Sequence, residues 1–151
     1  MPMALIALGS NLGPRRACLE EALRRLAGLP GTRLLRRSAW ARSEPEAPGD
    51  GPWYLNGAAL ISTGLRPRAL LTQLQRIEVE LGRRPRPADR ARPLDLDLIL
   101  YGLLRTTRRD LVVPHPRYRQ RSFVLGPGRE VAPLQWDPVL AGPLGSADEA
   151  P

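Results

Sequence analysis

The chain has 151 residues, enough for one ordinary domain, and its 42% hydrophobic and 25% charged residues are those of a globular protein. A formal net charge of +8 suggests a polyanionic partner, yet all 23 basic residues are Arg, which indicates a compositional bias as much as a binding surface. Because Lys is absent, a Walker-type phosphate loop and the protein-kinase fold, which both need Lys on the nucleotide phosphates, are excluded.

The first third of the chain predicts a strand, a helix and a second strand. Residues 3–8 are a short apolar run that ends in the turn GSNLG at 9–13, which is typical of a buried strand. Pro14 opens a helix with apolar residues at helical spacing, and Gly28 lies at its end. Residues 32–43 alternate weakly and predict a further strand.

The middle of the chain begins with a Pro- and Gly-rich stretch at 44–53, which predicts a surface loop. Residues 54–63 predict a central strand. Residues 68–81 carry one apolar stripe and predict an amphipathic helix that Gly82 caps. An arm rich in Arg and Pro follows at 83–93.

The last part of the chain begins with the apolar run 94–101, which predicts another strand. Residues 102–137 predict short strands and a helix near 117–125, and the tail 142–151 is expected to be disordered. The order strand, helix, strand, strand, helix, strand predicts an α+β fold, the ferredoxin-like βαββαβ core with a mainly antiparallel sheet. We expect a single domain over residues 1–141.

Two further features predict the setting in which the protein works. The single cysteine, Cys18, cannot form an intramolecular disulfide, and its apolar neighbours favour a buried structural thiol. The first residues lack the basic segment and the apolar length of a secretory signal, and no run is long enough to span a membrane. These features predict a cytoplasmic protein without a membrane partner.

An acid pair opens the strand at 94–101. The period of two places Asp95 and Asp97 on one strand face and the intervening leucines on the other, with the acid Cβ atoms roughly 7 Å apart. Magnesium suits such a pair, because it takes one or two carboxylates and fills its other positions with water and phosphate oxygens. An ordinary solvated strand face is the alternative, but the apolar strand around the pair favours a metal site.

An arm rich in arginine directly precedes the strand that carries the acid pair. The arm before it carries Arg83, Arg86, Arg90 and Arg92, and Arg forks grip phosphate oxygens bidentately, so the combination indicates a nucleotide-phosphate site. A solvated basic linker is the alternative for the arm.

The segment VPHPRYRQRSF at 113–123 contains the only histidine, His115, and the only phenylalanine, Phe123. A lone histidine beside proline is commonly structural. Arg residues at 117, 119 and 121 surround it here, and an imidazole in that setting can donate to phosphate. The Phe123 ring offers a stacking face for a planar ligand.

Five segments together resemble the 6-hydroxymethyl-7,8-dihydropterin pyrophosphokinase family of folate biosynthesis: GSNLG (9–13), YLNGA (54–58), QRIEVELGR (75–83), RPLDLDLILYG (92–102) and VPHPRYRQRSFVL (113–125). Their order and spacing make the resemblance specific over residues 3–133. It implies a three-layer α/β/α sandwich on the ferredoxin-like core. It also implies an enzyme that transfers pyrophosphate from ATP to the hydroxymethyl group of the pterin and releases AMP.

The resemblance further implies roles for individual residues. Two Mg²⁺ ions would be held by Asp95 and Asp97. The expected catalytic residues are Arg92, Arg121, Asp95 and Asp97. The expected ATP-binding residues are Gln75, Glu78, Arg83, Arg92, His115 and Arg121. The expected pterin-binding residues are Ser43, Glu44, Pro45, Glu46, Tyr54, Asn56 and Phe123. The expected partners are the small molecules ATP and hydroxymethyl-dihydropterin, without nucleic acid, and the expected state is a monomer.

The chain departs from the family at two places. Its arm reads DRAR at 89–92, where the family usually carries Trp-Gly-Pro before the Arg, and Glu44 and Glu46 occupy the first loop, which is often apolar. Two other functions stay open. A nucleic-acid-binding module is favoured by charge but opposed by an aromatic content of 5%. A catalytically inactive small-molecule sensor on the same fold is the second.

Overall fold

The computed structural model describes residues 1–45, 51–82 and 93–145. Within these ranges the elements follow one another as β1 (Met3–Ser10), α1 (Arg15–Ala27), β2 (Thr32–Arg37), β3 (Ala41–Ser43), β4 (Tyr54–Thr63), α2 (Pro67–Glu80), β5 (Asp95–Tyr101), β6 (Thr106–Arg108), β7 (Leu111–Val113), a 3₁₀ turn (Tyr118–Gln120), α3 (Ser122–Val131), β8 (Trp136–Asp137) and β9 (Gly142–Pro143). No helix in these ranges has the length and hydropathy needed to cross a bilayer.

The central sheet has the strand order β2–β4–β1–β5, with β3 paired to the start of β4. All of its described pairings are antiparallel. Helix α1 connects β1 to β2, and α2 lies between β4 and β5 in the chain. This is the ferredoxin-like βαββαβ arrangement that the order of elements predicted.

The pleat of β1 divides the hydrophobic core into two layers. Ala4, Ile6 and Leu8 pack with the apolar stripes of α1 and α2 on one face of the sheet. Leu5 and Ala7 pack with α3 on the other face. Alternate side chains of a strand point to opposite faces, so the part of β1 that is covered on both faces is apolar at each position from Ala4 to Leu8. The three-layer α/β/α sandwich is therefore confirmed.

Two predicted elements are longer or more broken than expected. The single strand predicted at 32–43 is wrong, because residues 38–40 separate β2 from β3, and the Ser38 hydroxyl accepts the Ala58 N–H at 2.8 Å. The helix predicted near 117–125 is instead a 3₁₀ turn followed by α3. Arg121 separates the two with an extended backbone (φ −114°, ψ 99°).

The predicted disordered tail is wrong for its first residues. Gly142–Pro143 pairs with β8, and Leu144 is fully buried against the α3 layer. The Leu144 N–H also donates to the Gln135 carbonyl at 2.7 Å. Burial of an apolar side chain outweighs the loop-like composition here, so the packed chain extends past the predicted boundary at 141. Residues 146–151 lie outside the described ranges.

Gly57 in β4 is required by the indole of Trp40. A Cβ at this position would clash with the Trp40 ring, which is held because its Nε1 donates to Glu20 at 2.9 Å. Gly57→Ala is therefore expected to lower the free energy of unfolding by about 1–3 kcal/mol, as overpacking does. Urea denaturation measures this. Gly126→Ala is the control, since a Cβ there meets no atom within 4 Å, and it should be neutral or stabilising.

Candidate active site

Polar residues gather at one end of the sheet, on the face that α3 covers elsewhere. Asn56 of β4, Gly9 of β1 and Asp95 of β5 are direct partners across three neighbouring strands. The next residues along β4 toward the core, Ala58 and Leu60, pack on the α3 side. Because residues two apart on a strand share a face, Tyr54 and Asn56 point to that side as well. The ends of three strands thus present their side chains to one region.

The acid pair lies at the start of the outer strand β5. Leu94, Leu96 and Leu98 are buried in the α1/α2 layer, so Asp95 and Asp97 share the opposite face, as the alternation predicted. Asp95 is half-buried and Asp97 is exposed. The described ranges contain no group of three or more His, Cys, Asp or Glu residues that could hold a metal. The carboxylates on this face of β5 are those of Asp95 and Asp97.

Glu78 supports the acid-bearing strand from α2. Its side chain is 5% exposed, and Oε2 accepts the backbone N–H of Leu96 at 2.9 Å. β5 is the last strand in the described sheet order, so this carboxylate satisfies an N–H on the outer side of the strand. The bond falls between the two acids in sequence, and it fixes the backbone from which both project.

His115 lies beside the acid pair. Its backbone N–H donates to the Ile99 carbonyl at 3.0 Å, and its Nδ1 accepts the Arg117 N–H at 3.4 Å. Burial lowers the pKa of His115, the Asp97 carboxylate opposes this shift, and Arg121 and Arg117 add to it. A neutral ring with Nδ1 as acceptor carries its proton on Nε2. His115 can therefore act as a hydrogen-bond donor without carrying charge.

A second cluster occupies the β3–β4 side of the same face. Asn56 is buried, and its Nδ2 donates to Ser43 Oγ at 2.6 Å. Gly9 gives both neighbours room, since a Cβ there would lie 3.2 Å from Asn56 Oδ1 and 3.6 Å from Tyr54 Cδ1. Phe123, in the first turn of α3, packs against the core layer on this side of the sheet. Amide, hydroxyl and aromatic groups are thus brought together.

The remaining predicted residues are more scattered. Arg121 lies just before α3, with its Cζ 6.0 Å from the Phe123 ring centroid. Glu44 is exposed and forms an ion pair with Arg42 at 3.4 Å, and Pro45 is half-buried. Gln75 is exposed on α2. Three predicted residues lie outside the described ranges: Glu46, Arg83 and Arg92.

Residues 5–133 match the model of the family described as 7,8-dihydro-6-hydroxymethylpterin-pyrophosphokinase (HPPK). The chain belongs to this family. It is 39% identical over 142 residues to a 2-amino-4-hydroxy-6-hydroxymethyldihydropteridine pyrophosphokinase of Methylorubrum extorquens, covering 94% of this chain and 88% of that protein. It is 42% identical over 132 residues to the protein of the same name from Haemophilus influenzae, covering 87% and 82%.

Solved structures support the fold of this HPPK family chain. A wild-type Plasmodium falciparum HPPK-DHPS structure superposes with a TM-score of 0.70 at 11% sequence identity, covering 95% of this chain and 43% of that chain. The pteroate-containing structure of the same protein gives a TM-score of 0.75, covering 95% and 41%. The chain thus spans less than half the length of these two structures, and at such identity the likeness concerns the fold.

Two contacts of this HPPK chain were not predicted from its sequence. The Arg15 guanidinium lies over the Trp53 ring, and the buried Tyr118 hydroxyl donates to the buried Asp137 carboxylate. Burial raises the pKa of Tyr118, and the bond to Asp137 adds to the shift. Trp53 directly precedes the segment YLNGA and Arg15 lies two residues after GSNLG, so both are near segments that carry the family resemblance. A buried tyrosine needs a partner for its hydroxyl, but the sequence does not say which one.

Proposed function

We propose that this chain is an ATP-dependent 2-amino-4-hydroxy-6-hydroxymethyldihydropteridine diphosphokinase. It transfers pyrophosphate from ATP to the hydroxymethyl group of 6-hydroxymethyl-7,8-dihydropterin and releases AMP, a step of folate biosynthesis. The observation that carries this proposal is the alignment of Asn56, Gly9 and Asp95 across three strands. It brings the amide of Asn56 and the acid pair to the same end and the same face of the sheet.

The acid pair is the proposed magnesium site, with two ions as the expected number. Asp95 and Asp97 provide hard oxygen donors on one face of β5, and a pair of carboxylates fits Mg²⁺, which leaves its remaining positions to water and phosphate oxygens. When bound, Mg²⁺ would supply charge neutralisation on the phosphates and acidify the attacking hydroxyl. The role of the chain itself is to hold both carboxylates at a fixed spacing.

The proposed phosphate side combines neutral and charged donors. His115 lies near the Asp97 carboxylate and near the Arg121 guanidinium, and both side chains are proposed to donate to phosphate oxygens. Gln75, Arg83 and Arg92 are assigned to ATP through their positions in the matched segments. Glu78 is assigned to ATP in the same way. Because its carboxylate also accepts the Leu96 N–H, we propose that it holds the strand that carries the acid pair as well.

The proposed pterin side is the cluster around Asn56. An amide side chain can pair with the hydrogen-bonding edge of a pterin, and the bond to Ser43 fixes its orientation. Tyr54 and Phe123 offer aromatic faces for the ring. Glu44, Pro45 and Glu46, which follow β3 in the sequence, are the other proposed pterin-binding residues.

Catalysis by this chain would consist of positioning and charge stabilisation. The hydroxymethyl oxygen attacks the β-phosphorus of ATP and loses its proton to solvent, the bond from that phosphorus to the α–β bridging oxygen breaks, and AMP leaves with the bridging oxygen. Holding the two substrates in line converts an encounter in solution into a unimolecular step. Arg92 and Arg121 are the proposed cations for the charge that develops. Exclusion of water from the closed site protects ATP from hydrolysis.

Incubation with ATP, Mg²⁺ and the hydroxymethyl-dihydropterin tests the proposal, with AMP measured by chromatography. AMP that appears only when the pterin is present supports the transferase. Binding of both small molecules without AMP would indicate the inactive sensor. Binding of single-stranded RNA at physiological salt, without AMP, would favour the nucleic-acid module suggested by the net charge of +8.

Phe123→Ala tests the pterin side. If the ring stacks on the pterin, its loss should weaken pterin binding by about 1–3 kcal/mol, the scale of stacking on an aromatic side chain. ATP binding should change little, because the phosphate donors are other residues. Calorimetric titration with each ligand measures both. Equal losses for the two ligands would refute the assignment of Phe123.

The setting of the proposed enzyme is simple. We propose that it acts as a monomer in the cytoplasm, on small molecules and without nucleic acid. The half-buried Cys18, whose pKa is raised by burial, supports a structural thiol in a reducing compartment. Light scattering at micromolar concentration distinguishes a monomer of 16.7 kDa from a dimer.

A further inference from the structure

Trp53 immediately precedes β4 and is held by two arginines. The Arg15 Cζ lies 3.9 Å from the Trp53 ring centroid, and the Arg42 Cζ lies 4.5 Å from it. Guanidinium groups at these distances attract the negative face of an indole. Arg15 begins α1 and Arg42 belongs to β3, so the ring joins two elements that are far apart in the chain.

Arg15 also holds the backbone around this ring. Its Nε donates to the Trp53 carbonyl at 3.2 Å. Its NH2 nitrogen donates to the Asn11 carbonyl at 3.1 Å, and its NH1 nitrogen to the Gly13 carbonyl at 3.4 Å. One planar fork therefore ties the GSNLG turn after β1 to the peptide that links Trp53 with Tyr54.

The location of this contact gives it a consequence for the pocket. Leu55 packs in the α1/α2 layer, whereas Tyr54 and Asn56 face the other side of the sheet. The described link from Arg15 to this part of β4 is its hydrogen bond to the Trp53 carbonyl. The Trp53 carbonyl belongs to the peptide plane that enters Tyr54, so fixing it limits the directions in which the Tyr54 ring can point.

We propose that Arg15 and Trp53 are positioning residues for the pterin half of the site, with Arg42 as the second cation on the ring. This inference rests on the proposed function, in which Tyr54 is a pterin-stacking residue. Arg15 holds the Trp53–Tyr54 peptide, and Trp53 provides the surface that keeps the Arg15 fork in place. The hydrogen bonds of Arg15 end on Asn11, Gly13 and Trp53, and not on Asp95, Asp97 or His115.

The test compares Arg15→Ala, Arg15→Lys, Trp53→Ala and Trp53→Phe with Arg16→Ala as the matched control. Arg16 is the next residue of α1 and is exposed. Arg15→Ala and Trp53→Ala should raise the KM for the pterin on the order of tenfold, while the KM for ATP changes less than about twofold. Trp53→Phe keeps an aromatic face and should resemble the wild type. Arg15→Lys keeps the positive charge but lacks the planar guanidinium, so its KM for the pterin should lie between those of the wild type and Arg15→Ala.

Hydrogen–deuterium exchange of the ligand-free protein provides a readout that does not depend on activity. The backbone amides of residue 51 and residues 53–56 should exchange faster in Arg15→Ala and Trp53→Ala than in the wild type. They should exchange at the wild-type rate in Trp53→Phe and Arg16→Ala. If Arg15→Ala does not fold, Arg15→Lys is compared with Trp53→Phe instead. The lysine variant should then show the higher KM for the pterin, because it lacks the guanidinium.

Several outcomes would overturn the inference. These are equal increases in KM for pterin and ATP, a lower melting temperature with both KM values unchanged, or unchanged exchange at 51–56. A wild-type protein that forms no AMP is a different result. It would reject the proposed function, while the exchange measurement would still decide whether Arg15 and Trp53 order the start of β4.

Discussion

Asp97→Ala is expected to lower turnover by on the order of 10³-fold, the scale seen when one group that stabilises transition-state charge is removed. Asp95→Ala should behave alike. Both acids project from one face of β5, so neither alone maintains the donor pair for Mg²⁺. Steady-state formation of AMP at saturating ATP and pterin measures the loss.

The fold of these variants should persist, because Asp97 is exposed and the leucines of β5 remain packed on the other face. Melting curves in EDTA check this, and removal of one of two repelling carboxylates can even raise the melting temperature there. Asp110→Ala is the matched control, since Asp110 is an exposed carboxylate paired with Arg68 away from the site. AMP formation at the wild-type rate by Asp97→Ala or Asp95→Ala would refute the metal-ligand assignment.

Glu78→Ala is expected to lower both stability and turnover. The substitution leaves the Leu96 N–H without its buried acceptor, which costs about 2 kcal/mol of unfolding free energy. It also removes the support of the backbone between Asp95 and Asp97, so the donor pair loses its fixed geometry. A rate loss of roughly 100-fold is expected, because a small misplacement near the reacting groups costs that much.

Glu78→Gln separates hydrogen bonding from charge in this arrangement. The amide oxygen still accepts the Leu96 N–H, so the glutamine variant should recover most of the stability. Glu80→Ala, two residues further along α2 and exposed, is the matched control and should change the unfolding free energy little. Urea denaturation and AMP assays apply to all three variants. Equal destabilisation by Gln and Ala would contradict the role assigned to the Leu96 bond.

Much of the fold was predictable because single segments carried strong periodic signals. The apolar run of β1 and the stripe Leu70, Leu74 and Ile77 of α2 obey strand and helix periods that do not depend on distant residues. The break between β2 and β3 was not predictable, since it depends on the Ser38 hydroxyl accepting an N–H from β4. The packed position of Leu144 likewise depends on a core layer formed by other parts of the chain.

The candidate site was likewise predictable in part. The alternation in L-D-L-D-L predicted that Asp95 and Asp97 share a face, and the resemblance named Asn56 and His115. Neither the alternation nor the resemblance predicted the register that aligns Asn56 with Asp95 through Gly9, because register is set by the pairing of strands that are distant in the chain. The contact between Arg15 and Trp53 needs the three-dimensional meeting of α1 with the start of β4.

Phosphorus NMR of the complete reaction tests the central claim most directly, because it identifies both products at once. With ATP, Mg²⁺ and 6-hydroxymethyl-7,8-dihydropterin, the wild-type protein should produce AMP and a pterin that carries two coupled phosphorus signals, in equal amounts. The Asp97→Ala protein should leave ATP intact over the same time. Formation of ADP with a singly phosphorylated pterin, or loss of ATP without any phosphorylated pterin, would contradict pyrophosphoryl transfer by this chain.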